Sequence, residues 1–216
     1  MNPVNAGRFI EVFEGLRSTT YCPFATRARI WYGPDWDLSC DFESNVQRIA
    51  SNLTDFCGLH QVNQLHGYVI NVVGDRSSRM ATLSETATLF WKFLKYLSPL
   101  DPAQCSSFAD IEHPQWQFEF ANVRLFLNVF SGSYEHTHTK FIDLDSGIMI
   151  FAQPEGSFDL CGIDPSRPEV KQQIRDRFAS NGLAYDGTLI DKRVESHLYV
   201  FPEQVGDDPV RFWLDR

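Results

Sequence analysis

Apolar residues in this chain recur first at helical and then at strand spacing, and the change of period divides the molecule. Phe9, Ile10 and Phe13 lie three and four apart, which predicts a short amphipathic helix over residues 6–16 that ends near Gly15. Val46, Ile49, Leu53 and Phe56 share one face of a second helix over residues 42–56, with Gly58 placed where a stop is expected. "HGYVINVVG", residues 66–74, is short, β-branched and bounded by glycines, so it reads as a buried strand. The clearest element follows. Thr82 and Glu85 form a capping-box pattern, and Phe90, Phe93, Leu94 and Leu97 then fall on one face of a helix over residues 83–97.

After Asp101 the period drops to two. Trp116, Phe118 and Phe120 share one side of a strand, residues 124–130 make a second, and Ala121-Asn122 is the turn of a hairpin between them. "GIMIFA", residues 147–152, is a further buried strand, residues 168–179 a helix opened by Pro168, and residues 197–201 a last strand. The sum is an α+β chain: one domain over residues 1–216, with helices flanking a mainly antiparallel sheet.

Eighteen phenylalanines among 216 residues supply a large apolar interior. The net charge of −9 would repel a phosphate backbone, so nucleic acid is excluded as a partner, while a cationic small molecule would be drawn in. No apolar run approaches the roughly 20 residues that cross a bilayer, and no secretory leader opens the sequence, so no membrane partner and a cytoplasmic location are expected. The five cysteines, Cys22, Cys40, Cys57, Cys105 and Cys161, are scattered at spacings that suggest neither a disulfide framework nor a structural zinc. "GDRSSR", residues 74–79, lacks the further glycines of a dinucleotide fingerprint and the lysine of a phosphate loop, and no G-x-S-x-G elbow occurs.

Two stretches carry candidate chemistry. In "YCPF" the proline after Cys22 removes the next backbone N–H as a donor to the sulfur and fixes the chain direction, which suits a loop presenting a thiolate; packing under the first helix is the plainer role. In "SYEHTHTKF" an extended backbone would point His136 and His138 to one side, where two imidazoles can share a metal. A third ligand is not evident from spacing, with Glu119 and Asp143 the nearest carboxylate candidates, so hydrogen bonding is the alternative for both histidines. His60, His66, His113 and His197 have no spaced partner and read as satisfied polar residues.

"YCPFATRA", "LFWKFLKYLSPLD", "HPQWQFEFANVRLFLNVFSGSY", "IMIFAQPEGSFD" and the ending "VKQQIRDRF…YDG…LYVFPE" occur in the order that resembles the YqcI/YcgG family, over residues 20–205. Members of that family with known activity are haem-dependent N-oxygenases of amino acids and guanidines in natural-product pathways. The resemblance implies haem b here, dioxygen or peroxide as oxidant, an amino-acid-like or guanidine substrate and an electron-transfer partner. It gives Cys22 a role as axial ligand, since a thiolate pushes electron density onto iron, and leaves His136 or His138 as the rival ligand. Phe24 would pack on the macrocycle, with Tyr134 and Lys140 near its propionates or a substrate carboxylate. Where the family has an arginine pattern resembling R-x-S-R after the hairpin tyrosine, this chain has "YEHTHTK", with Lys140 as the cation in place of a bidentate fork. The competing functions are a non-haem metal oxygenase built on His136 and His138, and a haem-binding protein without catalysis.

Overall fold

A computed structural model describes residues 8–22, 24–74, 79–160, 168–183 and 194–214. Cys161, most of residues 74–79 and the first two positions of the expected N-terminal helix lie outside them. Five strands form one sheet: β1 (Ile30–Tyr32), β2 (Gly67–Val72), β3 (Phe118–Phe120), β4 (Val123–Ser131) and β5 (Ile148–Pro154). Their spatial order is β1-β2-β5-β4-β3, with β1 and β2 parallel and every other pair antiparallel. Among the described residues five helices accompany it: α1 (Arg8–Thr19), α2 (Phe42–Leu59), α3 (Leu83–Leu97), α4 (Ser157–Leu160) and α5 (Pro168–Ser180). The chain is thus an α+β domain with a mainly antiparallel sheet.

The pleat assigns each strand residue to one of two faces. On the first, Tyr68, Ile70 and Val72 of β2, Leu125, Leu127 and Val129 of β4, and Ile148, Ile150 and Ala152 of β5 are buried with the apolar stripes of α2 and α3. Thr82 accepts from the Glu85 N–H while Glu85 reaches back to the Thr82 N–H, so the capping box that opens α3 is complete. Asp41 caps α2 by accepting from the Ser44 N–H at 2.7 Å. At the hairpin turn Ala121 and Asn122 have φ of 50° and 61°, the left-handed pair that matches strand twist in a two-residue loop.

Asp101 ties α3 to that hairpin. Its carboxylate accepts from the backbone N–H groups of Ala103, Cys105, Ser106 and Ala121 at 2.7–3.1 Å and from the Cys105 thiol at 3.0 Å. Burial works to raise the Asp101 pKa, but these five donors outweigh it and hold the carboxyl down to about 2.

The second face carries Val69, Met149 and Phe151 against Phe9 and Phe13 of α1. Gly67 permits a close approach there: a Cβ on it would overlap the ring of Phe151, which lies across the start of β2.

Several boundaries differ from the expected ones. The helix α1 runs through Gly15 to Thr19, because the Ser18 and Thr19 hydroxyls bond the Gly15 carbonyl and sustain the last turn. The helix α2 likewise passes Gly58, and its end is a turn in which the Leu65 N–H reaches the His60 carbonyl. Residues 197–201 are not a strand: residues 195–198 form a 3₁₀ turn, and Tyr199, Val200 and Phe201 are buried consecutively rather than alternately. The Tyr199 carbonyl accepts from the Val129 N–H, while its ring is buried under the sheet and its hydroxyl accepts from the Phe118 N–H. β1 carries no sequence signal because it has only three residues. No described helix is long and apolar enough to cross a membrane.

Candidate functional site

The second face of the sheet is only partly covered, and a cavity of about 380 Å³ opens there, within the range of small-molecule sites. Its floor is Phe126, Asn128 and Phe130 of β4 with Phe151 and Gln153 of β5. Phe13 and Leu16 of α1, Ile174 and Phe178 of α5, and Phe201 form apolar walls, and the loop from Thr20 to Ala28 forms a rim.

That rim is built by local hydrogen bonds. The Cys22 carbonyl accepts from the Ala25 N–H at 3.2 Å, starting a 3₁₀ turn over Ala25–Arg27. Arg17 pins the turn by donating to the Ala28 carbonyl at 2.6 Å while Glu14 neutralises its charge at 2.7 Å. The loop therefore presents Cys22 and Phe24, both half-buried, at the cavity wall. The Cys22 thiol is free.

Lys140 reaches the same cavity from the loop after β4. Its backbone is held at both ends, the carbonyl accepting from the Ser131 N–H and its own N–H donating to His138 Nδ1, each at 3.0 Å. The side chain is 8% exposed, its Nζ donating to Asn128 Oδ1 and lying over the rings of Phe201 and Phe130 at 4.6 and 5.1 Å. Burial alone pushes its pKa down to about 7.

Among the described residues the cavity lining includes Arg17, His66, Lys140 and Arg175 but no aspartate or glutamate. In a chain of net charge −9 this is a local reversal of sign.

The expected site residues are thus divided. Cys22, Phe24 and Lys140 meet at one cavity; Tyr134, His136 and His138 do not line it. Residues 132–140 turn rather than extend, which removes the shared face that His136 and His138 would need for chelation. His136 is exposed beside Phe141, while His138 stacks on Tyr134 at 4.2 Å with its Nδ1 accepting from Lys140. Burial first, then the Lys140 charge, lowers the His138 pKa to about 4, against a hydrogen bond to Pro202 that raises it. Tyr134 is buried and donates to the Phe201 carbonyl at 2.8 Å. The two carboxylates are engaged elsewhere, Glu119 with Arg124 and Asp143 with Arg79. No group of three His, Cys, Asp or Glu side chains stands ready to hold a metal ion among the described residues.

His66 is the imidazole on the cavity wall. Its Nδ1 accepts from the Arg29 backbone N–H at 3.0 Å, a donor with no alternative role, so the ring proton sits on Nε2. A metal would need that Nε2 lone pair. Burial and then the Arg29 charge lower its pKa.

The polar members Asn128, Gln153 and Thr139 escaped sequence reading, although Asn128 interrupts the apolar run Leu125–Phe130 and Gln153 an otherwise apolar β5. That interruption was the available signal.

Fold and cavity together define an α+β chain with an open aromatic cavity, positively lined, on one face of its sheet. The chain belongs to the YqcI/YcgG family, whose model matches residues 22–197 and so includes Cys22, Phe24 and Lys140. No curated protein and no solved structure matches it.

Proposed function

We propose that this chain is a haem-dependent monooxygenase that N-hydroxylates an amine or guanidine nitrogen of an amino-acid-like substrate, with Cys22 as the axial ligand. One observation carries the reading: Cys22 stands on the wall of a phenylalanine-rich, basic cavity whose lining imidazole, His66, has its Nδ1 occupied by the Arg29 N–H. The donor set suits haem, which asks for a flat apolar enclosure, an axial donor and cations for its carboxylates. Phe13, Phe24, Phe130 and Phe151 answer the first need, Cys22 the second, and Lys140 with Arg175 the third.

Haem bound through a thiolate supplies activation of dioxygen or peroxide. The net change places one oxygen atom in an N–H bond; with dioxygen, two electrons from a donor protein and two protons from solvent, the second oxygen leaves as water, and with peroxide the water forms without added electrons. The rest falls to side chains. The phenylalanines exclude water from the reacting nitrogen. His66 holds a proton on Nε2 at the wall. A lining with cations and no carboxylate disfavours the protonated form of an amine, keeping available the lone pair that N-oxidation requires. The acidic exterior still attracts a cationic substrate from solution.

The test is an absorption spectrum of the full chain titrated with haem. A Soret band should form, and the reduced carbon monoxide complex should absorb at the long wavelength that marks a thiolate. Cys22→Ala should lose or shift that band, and His66→Ala should retain it. An unchanged spectrum in Cys22→Ala removes the thiolate, and no Soret band at all removes haem.

A further inference from the structure

We infer that Lys140, Thr139 and Asn128 form a subsite for the carboxylate of a ligand with an apolar body. The inference rests on the cavity being the ligand site of the proposed function, but not on the ligand being haem.

Three groups at this point of the wall keep unused donors. The Lys140 ammonium is buried, and among the described residues no carboxylate lies within ion-pair reach of it; Asn128 Oδ1 is its polar partner. An ammonium taken out of water and given one neutral acceptor and two aromatic faces keeps donors unused, and the missing component is a counter-anion. Next in sequence, the Thr139 hydroxyl is buried with no hydrogen-bond partner, and Thr139 lines the same cavity. Satisfied hydroxyls are the rule in protein interiors, so an orphan beside an unpaired ammonium marks an acceptor that the ligand brings. On the floor, Asn128 gives its oxygen to Lys140, which leaves its amide N–H groups as donors on the cavity side of β4.

The arrangement also narrows the group that is met at this point of the wall. Among the described residues no aspartate or glutamate stands in the lining to receive a cation. One lysine and two neutral donors match a single negative charge, and the surrounding Phe130 and Phe201 rings favour an apolar or aromatic body behind it. The Lys140 backbone is fixed by Ser131 and His138 and its Nζ is held by Asn128 Oδ1, so the ammonium is positioned before a ligand arrives and binding costs little ordering of the side chain. The carboxylate has two sources, a propionate of the porphyrin or the acid group of the substrate.

Two matched pairs of probes test the subsite and separate those sources: 3-phenylpropionate against 3-phenylpropanamide, and haem against its dimethyl ester, each titrated into the full chain. The wild type should prefer the acid member of at least one pair by about tenfold or more, as expected for charge-assisted hydrogen bonds. Lys140→Met should abolish the preference, with folding verified by circular dichroism. Thr139→Val should cut it several-fold while raising the melting temperature, a combination that a purely structural hydroxyl would not produce. Discrimination against the haem ester, with 3-phenylpropionate competing for haem, assigns the propionate. Lys140-dependent binding of 3-phenylpropionate to haem-loaded protein assigns the substrate. Equal affinities within both pairs, or a preference that survives Lys140→Met, overturn the subsite. Acid selectivity without any Soret band would leave the subsite standing and remove the haem reading; a Soret band without selectivity would do the reverse.

Discussion

The two faces of the sheet each bury a charged side chain, and they treat it in opposite ways. Beside the α2/α3 face, Asp101 is surrounded by five donors and serves as a fixed joint between α3 and the β3–β4 hairpin. On the α1/α5 face, Lys140 has one neutral acceptor and two rings. Among the described residues the first charge is complete, and the second is not. A fold that satisfies its buried carboxylate so fully and leaves its buried ammonium unmatched separates structure from function across one sheet.

The contrast can be broken most strongly in the closed core. Phe93→Ala removes a ring that is about 1% exposed and should destabilise by about 4 kcal/mol in urea unfolding. Asp101→Asn replaces the acceptor of five bonds and should cost about 3 kcal/mol in the same assay. Lys140→Met should act in the other direction, stabilising the unliganded chain by about 2 kcal/mol at pH 6, because it removes a desolvated charge and keeps the volume. Phe24→Ala, at the half-buried rim, should change stability by less than about 1 kcal/mol, while weakening whatever the cavity holds.

Titration sharpens the same comparison. Asp101 has a folded pKa near 2, below its unfolded value, so its contribution is whole above about pH 4 and disappears as pH falls through about 2. Lys140 has a folded pKa near 7, also below its unfolded value, so the folded state prefers the neutral amine. Its penalty is absent above about pH 10.5, grows as pH falls, and is complete below about 7. Melting curves across pH should show an alkaline limb that Lys140→Met abolishes and an acid limb that Asp101→Asn abolishes.

How much of this was legible beforehand depended on whether a feature is local. The helix α3 could be read to the residue because its capping box and apolar stripe lie within one segment. The hairpin was legible for the same reason, its two turn residues sitting between two alternating runs. The proposed last strand failed because Tyr199, Val200 and Phe201 bury consecutively, a pattern that alternation cannot describe. His136 and His138 misled because an i, i+2 spacing gives a shared face only on an extended backbone, and residues 132–140 turn. The cavity itself was not legible as a place, since it is assembled from two helices, three strands and several connecting segments far apart in the chain. Cys22 was singled out by the proline that follows it, and the family resemblance added Phe24 and Lys140, the latter as a cation near propionates or a substrate carboxylate in place of an arginine pattern. Neither Thr139 nor Asn128 carries a motif, and both matter only once β4 and the loop behind it are placed side by side.

Gly67 offers a handle on that cavity without touching it. Because a side chain at this backbone position would drive the Phe151 ring aside, a single methyl on β2 would reshape the floor from behind. Gly67→Ala is therefore a lever for changing which molecules the protein accepts while every group that meets them keeps its identity.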